Sequence, residues 1–161
     1  MKFNQFSKFT LTVLTGFNFI FLLFINVFSY TVTDGSIKTV SLFKILFQRE
    51  DTIALFPQEF NGYVIALTVI AVLVIIAAIF CLQFSALQFL KVESNSLGLI
   101  VSVMSFVLSI AAFVILLILN SNVDVVTLSN VYFLPFILAA AFTLAYIPLF
   151  IFGPKDPEIE K

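Results

Sequence analysis

The chain has 161 residues, 61% of them hydrophobic and 11% charged, with a formal net charge of −1 and a mean hydropathy of +1.17. Soluble domains sit near ~45–50% apolar and ~25% charged, and a fold this small has no interior to hide the surplus, so lipid is the solvent that fits. The lack of a basic run argues against nucleic acid as a partner, and one cysteine with no histidine rules out an internal disulfide and zinc sites of several Cys and His.

The first apolar stretch runs from about Phe9 to Tyr30. Lys2 and Lys8 precede it as they would a signal peptide. Its apolar run, however, exceeds the ~7–15 residues of a signal core, and Phe28-Ser29-Tyr30-Thr31 offers no small-residue cleavage site, so a retained helix is expected. At about 100° per residue, Leu11, Thr15, Asn18, Leu22 and Asn26 share one stripe, with Thr12 at its edge, and Phe17, Phe21, Phe24 and Phe28 lie opposite. An unpaired amide in hydrocarbon costs several kcal/mol. Thr15, Asn18 and Asn26 are therefore expected to face a neighbouring helix, with a path between chains as the minority reading, and the phenylalanines to face lipid.

A loop from Thr31 to Gly62 follows. Tyr30-Thr31-Val32-Thr33 favours extended backbone and Asp34-Gly35 a tight turn, which predicts a small hairpin. Ile37 to Arg49 predicts an amphipathic helix. Val40, Leu42, Phe43, Leu46 and Phe47 share one face, and Lys38, Ser41, Lys44, Gln48 and Arg49 the other, with Ile37 and Ile45 intruding. Such a helix would lie in the membrane interface, basic side toward headgroups. It would serve as a lid over the bundle or as a surface for a partner protein or anionic lipid; the lid is favoured slightly, since a compact loop needs no partner.

Three further apolar stretches run from about Tyr63 to Leu90, Leu97 to Leu119 and Val131 to Phe152. All four stretches reach the ~20 residues needed to cross ~30 Å of hydrocarbon, and none contains Asp, Glu, Lys or Arg. The short polar link Lys91 to Ser96 predicts an antiparallel hairpin, and a second link spans Asn120 to Asn130. Gly98, Ser102, Ser105, Ser109 and Ala112 form a small-residue face that lets another helix approach closely. Its expected neighbours are Ala71, Ala78, Cys81 and Ser85, with Ala141 and Ala145 offering a similar surface. Cys81 reads as a small core residue. Pro135 is tolerated near a helix start, Pro148 should kink the last helix, and residues 153–161 form a solvated tail.

With the N-terminus inside, the cytoplasmic side carries Lys2, Lys8, Lys91, Lys155 and Lys161, against Lys38, Lys44 and Arg49 outside. The bias favours both termini in the cytoplasm of a cell-membrane protein. The expected fold is an all-α integral membrane protein: one membrane domain, an antiparallel four-helix transmembrane bundle with a short amphipathic interfacial helix in its first outer loop. This topology is similar to that of tetraspan proteins with a long first outer loop, such as claudins. The likeness ends at topology, because a claudin-like loop needs a Trp motif and paired cysteines, and this chain has no Trp and one cysteine.

The residues name no catalytic, cofactor-binding or metal-ligating set. Asp34, Glu50, Asp51, Glu59 and Asp124 read as solvated loop acids, and no Ser or Thr sits beside a recognisable activating base. The expected function is non-catalytic: an accessory or scaffold subunit, or an immunity-type protector, working through helix packing and the first outer loop. The expected partners are the bilayer and, as an option, another membrane protein; a homo-oligomer is allowed but not indicated. The alternative is a small oligomeric channel or transporter with Asn18 and Asn26 lining a path, and a membrane enzyme ranks third.

Overall fold

The computed structural model describes residues 3–31, 36–48, 50, 52, 54, 56, 58–89, 95–122 and 126–152. The Asp34-Gly35 turn, Arg49, Asp51, Lys91 to Ser94, Asp124 and residues 153–161 lie outside the described residues. The chain is mostly helical, with α1 (Phe3–Phe24), α2 (Leu42–Phe47), α3 (Asn61–Phe89), α4 (Asn95–Asn122) and α5 (Leu134–Phe152). A 3₁₀ turn, Gln58–Phe60, leads into α3. Four of the helices, α1, α3, α4 and α5, are long and apolar enough to cross a membrane, as a multi-pass membrane protein requires. With 29 residues, α3 measures about 44 Å at 1.5 Å per residue, longer than a hydrocarbon core.

Helix α1 packs against α3, α4 and α5, and α4 packs against α3 and α5. The interior is built from Phe19, Leu22, Leu67, Val74, Leu116 and Leu119, while Phe17, Phe24, Ile79, Phe80, Val107 and Leu144 point outward. Large apolar side chains crowding the outside of long helices as well as the inside are what a lipid surrounding accommodates. At the end of the helices where α1 stops and α5 begins, an aromatic ladder joins α4 to α5. Phe113 stacks on Tyr132 and on Phe136, with centroids 5.4 and 5.3 Å apart, and Phe106 stacks on Phe136 at 5.6 Å; such pairs add roughly 0.5–1.5 kcal/mol each beyond burial.

The chain is not all-α. Strands β1 (Asn26–Thr31), β2 (Ile37–Ser41) and β3 (Val126–Leu128) form an antiparallel sheet in the order β2-β1-β3. Two expectations are corrected by it. The first helix stops at Phe24 rather than Tyr30, and Asn26 to Thr31 pair with strands on both sides: Tyr30 faces Lys38 on β2 and Val126 on β3. The helix expected over Ile37 to Arg49 is confined to Leu42–Phe47, because Ile37 to Ser41 are taken up as an edge strand. Ser41 closes the strand and caps the helix, its Oγ accepting from the Lys44 backbone N–H at 3.3 Å. Its buried residues are Leu42 and Ile45, whereas Phe43 and Phe47 are exposed; Ile45, which the wheel set on the polar side, turns inward.

The register slips between Asn26 and Phe28, so Val27 forms a bulge in β1. Val27 and Phe28 are both buried in consequence, and Phe28 meets Phe56 edge-on at 5.7 Å. Phe28 was expected to face lipid; it fills the space between the sheet and the helix ends instead. The Val27 carbonyl accepts from Ser129 N–H at 3.1 Å, and Asn120 Oδ1 accepts from Leu128 N–H at 3.1 Å, so β3 is held from both sides. Since Phe28 is 1% exposed, Phe28→Ala should cost about 3–5 kcal/mol, read as a lower melting temperature of the purified chain in detergent with helix content retained below the transition.

Candidate functional site

Two places concentrate polar groups: a seam between the long helices, and a cleft beside the sheet. The seam begins with α1. Thr12, Thr15, Asn18 and Leu22 are buried on one side of it, as the stripe predicts, while Phe17, Phe21 and Phe24 are exposed on the other. Asn26 does not continue the stripe, since it stands exposed at the start of β1. Asn18 Nδ2 donates to the Pro135 carbonyl at 3.0 Å and reaches Ser105 Oγ at 3.5 Å, so one amide ties α1 to both α5 and α4. Thr12 and Thr15 donate back to the Lys8 and Leu11 carbonyls at 2.9 and 2.8 Å and need no partner on another helix. The helix also begins earlier than expected, so a lysine, Lys8, stands within the first turn of the span and is buried.

The small face of α4 is the other half of the seam. Gly98, Ser102, Ser105, Ser109 and Ala112 are all buried. Ser102 and Thr143 of α5 share a hydrogen bond at 3.1 Å between their hydroxyls, and Thr143 also reaches the Ser102 carbonyl at 3.0 Å. Gly98 is a socket: a Cβ there would stand 1.8 Å from Tyr146 Oη and 2.4 Å from its Cζ. Of the small residues expected opposite this face, Ala71, Ala78, Cys81 and Ser85 are buried, whereas Ala141 and Ala145 are exposed. Helix α5 turns Ala139, Thr143 and Tyr146 toward the seam instead. Cys81 packs beside Gly16 of α1, and its Sγ donates to the Thr12 carbonyl at 3.6 Å.

Some of the seam's polar capacity is unspent. Asn18 Oδ1, Ser109 Oγ, Gln88 Oε1 and Tyr146 Oη are buried without a hydrogen-bond partner among the described residues. Tyr146, 1% exposed, was not singled out from the sequence. The only local sign was Gly98, whose missing side chain fits a large residue across the interface as well as it fits a small one.

The cleft lies between β2 and α2 and measures about 640 Å³. Tyr30, Lys38, Thr39, Lys44, Gln48 and Thr52 line it. Lys44 Nζ donates to the Thr39 carbonyl at 2.8 Å, covering an open acceptor on the sheet's edge strand. Phe43, on the outward side of α2, stacks on Phe24 at 4.8 Å and contacts Phe47 at 4.7 Å. Among the expected contact residues, Lys38, Phe43, Lys44 and Phe47 are exposed, Leu46 is half-buried and Leu42 is buried. Glu50 and Glu59 are exposed, and among the described residues no three His, Cys, Asp or Glu side chains gather around one point.

Two substitutions test the seam. Asn18→Leu should lower stability in detergent by about 0.6–2 kcal/mol, the range of interhelical polar bonds in membranes. Gly98→Ala should cost about 1–3 kcal/mol by overpacking. Adding Tyr146→Phe should not restore it, because the ring Cζ already stands 2.4 Å from the new methyl, whereas adding Tyr146→Leu should. Thermal melts of the four variants check both. Comparison with known proteins finds no matching family, no matching curated protein and no matching solved structure.

Proposed function

We propose that the chain is a non-catalytic, multi-pass protein of the cell membrane, an accessory or scaffold subunit. In this reading the four long helices form an antiparallel bundle in the bilayer with both termini cytoplasmic. The sheet and α2 form an outer cap, with α2 lying in the interface, and another membrane protein docks on the cap. The carrying observation is how the polar groups of the spans are used. Asn18 reaches Pro135, and Ser102 reaches Thr143. These bonds join helix to helix inside one chain and support a fixed scaffold. A conducting path between chains would need Asn18 turned outward, and it is 2% exposed.

The cap also has the two properties first weighed as alternatives. Val40, Leu42 and Ile45 pack inward, as a lid does, while Ile37 and Thr31, paired at the tip of the β1-β2 hairpin, are exposed. Removing Thr39 to Gln48 would destroy the lid and the surface together, so point substitutions at the tip separate them. Thr31→Lys with Ile37→Glu, an opposite-charge pair across the two strands, should leave the melting temperature within a few degrees. The same pair should abolish capture of a specific partner in a crosslinking pulldown from native membranes. A chain that crosslinks only to copies of itself in that experiment, together with ion flux from reconstituted liposomes that Asn18→Leu abolishes, would replace the scaffold with an oligomeric channel.

A further inference from the structure

We infer that the cleft between β2 and α2 is a binding site for a phosphate group, drawn from an anionic lipid in the adjoining leaflet. The inference rests on the membrane placement proposed above and names a ligand for the cap. Three observations carry it. The first is chemistry. Lys38 and Lys44 both line the cleft, and among the described residues neither forms an ion pair. Lys44 Nζ spends one proton on the Thr39 carbonyl and keeps two to donate. Tyr30, Thr39 and Gln48 line the same cleft, and their side chains carry neutral donors to add to the two cations.

The second is depth. Ser41 pairs with Asn26, only two residues beyond the last residue of α1, and α2 starts at the next position. Helix α2 therefore sits at the level where the span Phe6–Phe24 ends, and the Phe24–Phe43 stack holds it there. Where a span ends, hydrocarbon gives way to headgroups. Lys44 Nζ reaches the Thr39 carbonyl, two residues along β2 from Ser41 and away from the end of α1, so in that placement its ammonium stands at the phosphate layer. The third is the flank. Phe47 is 69% exposed beside Phe43, which itself stacks on Phe24, and an aromatic ledge of this kind belongs at the boundary of an acyl layer. A ligand with a charged head and an apolar tail fits a basic cleft that adjoins an apolar ledge.

The test uses the full chain purified in a neutral maltoside detergent, with binding read by native mass spectrometry and thermal shift. The probes are phosphatidylglycerol and, as a tail-less phosphate ester, glycerol phosphate. Phosphatidylglycerol should bind and stabilise, and the double variant Lys38→Gln/Lys44→Gln should weaken binding at least tenfold, while Lys38→Arg/Lys44→Arg keeps it. If Lys44→Gln unfolds the cap by losing its bond to Thr39, Lys38→Gln alone should still weaken binding several-fold. Glycerol phosphate binding with the same lysine dependence would keep the phosphate site and overturn its lipid source. Binding of phosphatidylglycerol that is absent, or indifferent to both lysines, would overturn the site. Detergent dependence of the glutamine variants is read in parallel: a chain that stays dispersed without detergent refutes the membrane reading itself, a result separate from loss of the ligand.

Discussion

Helix α4 can lie against α1 and α5 because its facing side is nearly bare. Gly98, Ser102, Ser105, Ser109 and Ala112 present almost no side-chain bulk, and the space is taken by larger partners such as Asn18 and Tyr146. Lipid tails are as apolar as leucine, so nothing like the hydrophobic effect pushes these helices together; close van der Waals contact and a few interhelical hydrogen bonds must do it. This close approach sets much of what lies beyond the helix ends. It brings the end of α1 beside the link between α4 and α5, and only then can β1 find β3. The sheet in turn holds β2, and β2 with α2 walls the cleft.

Much of the membrane part was legible from composition and period alone. Uncharged runs of spanning length located four helices, and the 3.6-residue repeat set Thr15 and Asn18 inward and Phe17, Phe21 and Phe24 outward. The small face of α4 was legible for the same reason. The sheet was not. Its central strand, Asn26–Thr31, is apolar enough to prolong a helix, and one of its partners, Thr127, lies 98 residues along the chain from Ser29. No window on the sequence holds both. The wheel over Ile37 to Arg49 failed similarly, since Val40 and Leu42 are buried from a strand and from a helix in turn, and a run of mixed structure imitates one amphipathic helix.

Interior and cap divide the polar residues by use. Inside, hydroxyls and amides are consumed by neighbouring carbonyls or by each other, and the few left over are sealed away. At the cap, Lys38 and Lys44 remain exposed beside a cleft. Among the described residues, these exposed cations lie where helix gives way to strand.

The bulge at Val27 has a mechanical consequence. Only Ile25 separates α1 from β1, and Val27 bonds to Ser129, in the segment that leads into α5. The first helix and the last are thus splinted through a few residues of backbone. A rotation or tilt of α1 would be transmitted to β3 and to the entry of α5 as a lever transmits it, with no slack loop between them to absorb the movement. The helix ends at this face are coupled by main chain, and a displacement of one must be felt by the others.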